Sequence, residues 1–508
     1  MMNAVKLTAT TPLALVLGLG ASGLAMVRWL DRLGWRVRVA DTRMAPPQLA
    51  QLRADLPQTE FVGGIFTPAL LDGVSLLASS PGLSPHPKMP GNTAQLRALA
   101  QERGLPVFGE LELFARALRE LDVLYAYRPK VLAVTGTNGK TTVTSLTGKL
   151  VQAAGLRTEV AGNIGPCLLD RLRAYELGHC LPDAWVLELS SFQLHDALSF
   201  SPDAAVVLNI TQDHLDWHAD MAEYTADKCK IFGQATGQTV AIINRDADPL
   251  PLPSSTSIQH KRRISFGLGE PPSHLDFGVQ IAADVSWLVQ CVSALGDTPP
   301  KKKQDPELSL HRLMPVESLR IRGRHNISNA LAALALTVAV DIPLGSSLRA
   351  LAAYSGEPHR VQTIAHLGQI SYIDDSKGTN VGATVAAITS LGADLATGGR
   401  LVMILGGDGK GQDFSPLTRA LLDYARAVAL IGKDAAAIAA VLPAGLTVKT
   451  CQDMTDAVMW CAKQAQTGDA VLLSPACASL DMYRDYAHRA AVFLQAVQAL
   501  PAAGGGAS

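Results

Sequence analysis

At 508 residues the chain is long enough for about three domains of the usual ~150 residues. Its 48% hydrophobic and 18% charged residues exclude a disordered or collagenous chain and describe globular units with cores of their own. A formal net charge of −1 speaks against a nucleic-acid or membrane-surface binder, which needs a basic excess, so small molecules are the expected partners.

Thr8 to Val27 carries no charged residue, as a signal or spanning segment would, but its proline and its turn-spaced glycines and serines fit a strand-turn-helix better. No membrane insertion is expected. Residues 13–43 then read as a buried strand, the turn Gly18-x-Gly20-x-x-Gly23, an amphipathic helix and a strand Arg36 to Ala40 ending at Asp41. This is the first βαβ unit of a doubly wound sheet. The glycine spacing with an acid some 20 residues on suits NAD or FAD, and equally a nucleotide-linked substrate lying across the strand ends. Ser80-Pro81-Gly82, after the apolar stretch Ser75 to Ala78, is another loop on that edge.

A helix from Glu110 to Leu121 leads into VLAVTGTNGKTTVTSLTGKL, residues 131–150. Here a strand, a small-residue turn and a helix frame Gly136-Thr137-Asn138-Gly139-Lys140-Thr141-Thr142. Amide groups of the turn and helix N-terminus suit phosphate, Lys140 adds a cation for the β/γ-phosphates, and Thr141 or Thr142 suits Mg²⁺. The spacing departs from the general P-loop rule, and an ordinary turn with a surface lysine is the plain alternative. Further strands end in Gly162-Asn163-Ile164-Gly165, in Glu188-Leu-Ser-Ser-Phe-Gln193, and in Asn209-Ile-Thr-Gln-Asp-His214. Ligands of open α/β sheets sit at such carboxyl ends, which places Glu188 and His214 near Lys140. Glu188 suits a Mg²⁺ ligand, and His214 suits a second ion or a phosphate oxygen.

Proline- and charge-rich residues 249–256 and 297–306 read as exposed loops, and Asn326 reads first as the cap of a helix from Ala330 to Val340. Past Glu357, strands end in Asp374-Asp375-Ser376-Lys377-Gly378-Thr379-Asn380, in Gly406-Gly-Asp-Gly-Lys410, and in Ser474 to Asp481. Lys377, Lys410 and Ser479 together suit a dicarboxylate. Seven cysteines, an odd number without Cys-x-x-Cys spacing, speak against a disulfide framework and for a reducing cytoplasm. The tail from Pro501 reads as disordered.

These strings, with Tyr224-x-x-x-Lys228, His325-Asn-x-x-Asn329-Ala330 and His359-Arg360, resemble the Mur ligases over nearly the full length and in the family's order. Asp-Ser-Lys-x-Thr-Asn and Ser-Pro-Ala-x-Ala-Ser-x-Asp favour, within the family, the members that add D-glutamate to UDP-N-acetylmuramoyl-L-alanine. The resemblance implies an α/β fold of three domains: a Rossmann-like UDP-substrate domain (1–108), a central P-loop ATPase-type domain with a parallel sheet (109–356) and a Rossmann-like amino-acid domain (357–508). It implies ATP-dependent amide formation through an acyl phosphate, with two Mg²⁺ ions, in a cytoplasmic enzyme taken to be a monomer. Thr141, Glu188, His214 and a carbamylated Lys228 are the implied metal ligands, and Asn326, Arg360 and Asp375 join the cradle in binding ATP. Ser22, Asp41 and Thr42 are implied for the uracil end, Ser80 and Asn163 for the UDP-sugar, and Lys377, Thr379, Lys410, Ser479, Leu480 and Tyr486 for D-glutamate. Tyr486 stands where phenylalanine is expected, Arg489 precedes alanine in place of glycine, Gly378 replaces alanine, and the segment from Pro249 to Pro315 is longer than the family minimum. Three rival readings are a folate-extending relative, a dinucleotide-dependent dehydrogenase, and a nucleotide-gated binding protein without turnover.

Overall fold

A computed structural model describes residues 11–178, 180–233, 238–248, 262–293, 308–395 and 398–501. The loops expected at 249–256 and 297–306, and the tail beyond Pro501, lie outside the described residues. Short apolar runs bounded by glycine turns pair into three sheets. The first holds β1 (Leu13–Leu17), β2 (Arg36–Asp41), β3 (Glu60–Gly63), β4 (Val74–Ser79) and β5 (Val107–Phe108) in the order 3-2-1-4-5, all parallel. Its strand order reverses between β1 and β4, where an open α/β sheet forms its crevice. The uncharged N-terminal stretch contributes β1 and part of helix Ala21–Arg32, and among the described residues no helix is long and apolar enough to cross a membrane.

The second sheet is built from β6 (Lys130–Thr135), β7 (Thr158–Gly162), β8 (Ala184–Glu188), β9 (Ala204–Val207), β10 (Val240–Asn244), β11 (Arg263–Phe266), β12 (Phe277–Ala282), β13 (Val285–Ser293) and β14 (Leu308–Pro315). Their order is 14-13-12-11-10-9-6-8-7. The central strands are parallel, as expected, and β12 pairs parallel with β11, but the β12–β13 and β13–β14 pairings are antiparallel and extend the sheet. The long segment before Pro315 is therefore partly strand. Its tight hairpin turns at Ala283-Asp284, both at positive φ (50° and 60°), the backbone of a two-residue primed turn.

The third sheet comprises β15 (Gln362–Leu367), β16 (Ile370–Asp374), β17 (Leu401–Gly406), β18 (Ala425–Ile431), β19 (Thr447–Thr450) and β20 (Ala470–Leu473), ordered 15-16-20-17-18-19. Only β15 is antiparallel to its neighbour. Helix Arg324–Ala339 packs against helix Lys140–Ala153 and the second sheet, and Ala330 to Leu336 are wholly buried. Its run of alanines lets these layers approach closely. In all three sheets the polar loops leave from carboxyl ends flanking a switch of strand order, and this gathers side chains distant in sequence.

Candidate active site

Between β6 and helix Lys140–Ala153 the chain turns through Gly139, whose φ of 84° lies in the left-handed region. A Cβ there would stand 2.8 Å from Asn329 Oδ1, so glycine is required on both counts. Loops after β9 hold the turn in shape: Thr137 N donates to Asn209 O (2.9 Å) and Asn138 N to Asn209 Oδ1 (2.8 Å). Two lysine side chains converge on a single carbonyl. Lys140 Nζ donates to Gly136 O (2.9 Å) and Thr137 O (2.8 Å), and Lys228 Nζ donates to Gly136 O (2.9 Å). Lys228 is 1% exposed, and burial, helped by the charge of Lys140, drives its amine well below the ordinary lysine value. Burial lowers Lys140 as well.

Glu188 closes β8 and is 1% exposed. Asn163 Nδ2 donates to its Oε1 (2.8 Å), whereas Oε2 is buried without a hydrogen-bond partner. A buried carboxylate oxygen left unpaired is costly and is matched by a cation. His214 sits at a left-handed φ of 56°, and burial lowers its imidazole to about 4, so at neutral pH it is the uncharged, metal-ligating form. Thr141 Oγ1 faces the same space and accepts from Arg360 Nη2 (2.9 Å). Hydroxyl, carboxylate and imidazole together fit a hard divalent cation. A separate trio, His195, Glu223 and Asp227, is already balanced: Asp227 pairs with His195 (2.8 Å) and Lys230 (2.8 Å), and Glu223 with His86 (2.7 Å).

One cavity of ≈ 570 Å³ brings the cradle and the third sheet together, lined by Thr137 to Thr141, Asn163, Glu188, His214, Arg360, Lys377, Thr379, Lys410 and Tyr486. Burial lowers Lys377 to about 8, and its Nζ lies 5.4 Å from the centre of the Tyr486 ring. Tyr486 opens helix Tyr486–Gln498, capped by Asp485. Ala478 lines the cavity rather than Ser479 or Leu480, the latter being 70% exposed.

A second cavity of ≈ 290 Å³ shares Asn138, Gly139 and Arg360 with the first, and adds Thr142, Asn326 and Asp375 with Asn244, Phe266, His325 and Asn329. Asn326 is not the helix cap. Gly323 is, because the helix begins at Arg324, and Asn326 instead donates to Arg322 O (2.8 Å) and accepts from Asn329 (3.1 Å). Asp375 accepts from Ser474 Oγ (2.7 Å), and burial pushes its carboxyl up to about 7.

The residues expected at the uracil end lie in and beside the first sheet, Asp41 closing β2, Thr42 just after it and Ser22 on helix Ala21–Arg32, and line neither of these cavities. Asp41 accepts from Leu19 N (2.7 Å) and is clasped by the Arg43 guanidinium (2.8 Å). Ser22 donates to the buried Glu110, and Thr42 is exposed. Ser80 follows β4, with its amide on Leu17 O (2.9 Å). Motif reading passed over several contributors. Tyr224 OH meets Thr137 Oγ1 (3.0 Å), and Asn380 Nδ2 donates to Asn138 Oδ1 (3.1 Å) across the gap between the second and third sheets. Arg489, fully buried, donates to Ser376 O (2.7 Å) and Cys477 O (3.1 Å), tying two loops of the third sheet together. Asn380 and Tyr224 stand inside quoted motifs, but nothing in their spacing reveals these partners.

Three family models match the chain: the MurD-like N-terminal domain of Mur ligases over residues 13–107, the Mur ligase middle domain over 134–337, and the Mur ligase glutamate ligase domain over 359–477. A UDP-N-acetylmuramoylalanine--D-glutamate ligase of Burkholderia multivorans is 53% identical over 502 residues, covering 96% of this chain and 97% of its own. One from Burkholderia vietnamiensis is 52% identical over 500 residues, covering 96% of each. Among solved structures, a UDP-N-acetylmuramate-alanine ligase from Thermotoga maritima is 18% identical with a TM-score of 0.52, covering 96% of this chain and 99% of its own, which shows a shared fold. With its three sheets, its phosphate cradle and matches that run almost end to end, this chain belongs to the Mur ligase family.

Proposed function

We propose that the chain is an ATP-dependent, ADP-forming ligase that adds D-glutamate to UDP-N-acetylmuramoyl-L-alanine, a step of peptidoglycan precursor synthesis. Near-full-length relatives at 53% and 52% identity carry that activity in their names. The observation that carries the chemistry is the shared cavity, where the cradle of the second sheet faces Lys377, Thr379 and Lys410 of the third. The family's ATP dependence agrees with the cradle, and the substrates are small molecules.

A carboxylate is a poor electrophile. Its oxygen first attacks the γ-phosphorus of ATP, the bond to the β–γ bridging oxygen breaks, and an acyl phosphate and ADP result. The amine of D-glutamate then attacks the acyl carbon and loses a proton, the bond from that carbon to the oxygen bridging it to phosphorus breaks, and phosphate departs with that oxygen. Lys140 neutralises charge that builds on the bridging oxygen, largely by position. Arg360, within hydrogen-bond reach of Thr141, spans both cavities and holds the phosphates from the opposite side. Asn326 and Asp375 line the side suited to adenosine, and Lys377, Lys410 and Thr379 receive the two carboxylates. Tyr486 packs beside them; Ser479 and Leu480 complete this group in our reading, although neither lines the cavity.

Thr141, Glu188 and His214 are the groups we assign to Mg²⁺, with Lys228 joining them once carbamylated, and two ions are expected. When bound, the metal supplies charge neutralisation for the moving phosphoryl group. The orphaned Glu188 Oε2 supports the assignment. Lys228 supports its part too: burial favours the neutral amine, the form that reacts with CO₂. Ser22, Asp41, Thr42, Ser80 and Asn163 we assign to the UDP-sugar, given their place around the first sheet's crevice and the cradle's rim. The three sheets support domains at 1–108, 109–356 and 357–508. We place the enzyme in the cytoplasm, where unpaired cysteines and ATP both belong, and take it to be a monomer.

Mass analysis of the product formed from the UDP-sugar acceptor, ATP and D-glutamate tests this reading. Phosphate release with a folate acceptor but none with UDP-N-acetylmuramoyl-L-alanine would overturn it.

A further inference from the structure

We propose that Trp217 is a positioning residue, locking the loop of the first sheet that follows β4 onto the loop that carries His214. The inference rests on the ligase reading and concerns where the acceptor carboxylate is held. Trp217 is 5% exposed and reaches across the two units. Its indole Nε1 donates to Pro81 O (3.0 Å), in Ser80-Pro81-Gly82, and its own carbonyl accepts from Ser84 Oγ (2.7 Å). Both bonds land within four residues of one loop: one ends on the Pro81 carbonyl, which no side-chain change removes, and the other comes from the Ser84 hydroxyl.

The other side of Trp217 is tied to the catalytic loop. Its backbone N–H donates to His214 O (3.1 Å), closing the turn that holds His214 at positive φ. Its ring stacks on Phe192 at 4.8 Å and 28°, and Phe192 in turn meets His214 in a T-shaped contact at 4.7 Å and 71°. Phe192 lies four residues past Glu188, so the seam touches both acid and imidazole sides of the site. Arg97 paired with Asp196 (2.8 and 2.7 Å) and His86 with Glu223 (2.7 Å) reinforce the same seam. An indole has only two side-chain torsions and is packed on both faces of its turn, so it transmits position with little slack. Since a misplacement of about 1 Å costs up to ~10²-fold in rate, a lock here governs how the acceptor's carboxylate meets the phosphate.

Two variants approach the lock from opposite sides. Trp217→Phe keeps the stacking and removes the indole donor; Ser84→Ala removes the hydroxyl. Each is expected to raise KM for the UDP acceptor by about 5- to 10-fold, the loss of one buried hydrogen bond, while KM for ATP stays within about twofold. Trp217→Ala is expected to lower kcat as well, and Trp217→Phe to restore part of that loss. Calorimetric titration of the UDP acceptor makes the same comparison without turnover. A wild type that binds the acceptor but never turns over sinks the ligase reading alone. Unchanged acceptor KM and affinity in both single variants, or an equal rise in KM for all three substrates, overturns the lock.

Discussion

Asp375 offers the sharpest quantitative test, because its carboxyl is pushed up to about 7 from an ordinary 3.8 by burial that Ser474 and Arg360 only partly offset. The unfolded chain releases this proton near 3.8 and the folded chain near 7, so between those values the folded state binds more protons. Stability therefore falls as pH rises through that window, at up to about 1.4 kcal/mol per unit, and levels off above it. Over roughly three units the loss approaches about 4 kcal/mol. Asp375→Asn removes the titration yet still offers Ser474 an oxygen acceptor. The variant is expected to match the wild type near pH 4 and to exceed it by up to about 4 kcal/mol near pH 8. Urea denaturation of nucleotide-free protein along a pH series, read with a probe in the third sheet, measures the gap. A gap that stays flat across pH, or a wild type that gains on the variant as pH rises, refutes the reasoning. Turnover should move the opposite way, with the variant slower and its KM for ATP higher, since an ionised Asp375 is held at the nucleotide cavity at the cost of stability.

Glu188→Gln keeps an acceptor for Asn163 but removes the charge; we expect activity to fall by about 10²-fold or more with a melting temperature no lower than that of the wild type, measured by phosphate release and calorimetry. Lys228→Ala should lose activity and regain part of it with a small added carboxylic acid, and full activity without the additive would disprove the modified lysine. Gly139→Ala puts a Cβ 2.8 Å from Asn329 Oδ1 at a left-handed φ, so nucleotide affinity should drop by tenfold or more in a titration, with about 1–2 kcal/mol lost in stability.

Strands and their polar ends were legible because fully buried parallel strands are short apolar runs, and the loops at their carboxyl ends carry their own residue signatures. Val131 to Val134 and Ala470 to Leu473 needed nothing from elsewhere in the chain to be recognised. The antiparallel extension was not legible, because its tight turn is Ala283-Asp284 and lacks the Asn-Gly or Asp-Gly signal, and β14 pairs across a long separation. Asn326 misled for a related reason: a cap is a local preference, while Gly323 takes the role through a backbone at φ 95° that the helix start imposes. At the site, residue types announced Lys140, Glu188 and His214. What no spacing could announce is which groups they meet, such as Lys228 sharing the Gly136 carbonyl with Lys140, a contact 92 residues apart.

The two seams of the molecule differ in kind, and the difference bears on how the reaction is timed. Between the first and second sheets the contacts are ion pairs and buried bonds that do not end on the cradle itself: Arg28 with Asp170 (3.2 Å), Arg32 with Glu176 (2.7 Å), Arg97 with Asp196, and Trp217 on Pro81. Nothing in the reaction needs those groups to let go. Between the second and third sheets side-chain bonds join Arg360 to Thr141, Asn380 to Asn138 and Asn380 to Asp213 (3.4 Å), each ending on the cradle or on the loop of His214. Arg360, Asn138 and Thr141 among them are assigned to nucleotide and metal. The third unit is thus held in part by groups that the nucleotide itself recruits, so nucleotide binding and the seating of the D-glutamate loops draw on the same contacts. A ligand that occupies them changes what the third unit rests on. Coupling of this sort lets the amino-acid pocket and the phosphate cradle approach when the nucleotide bridges them, which is when the acyl phosphate must be shielded from water.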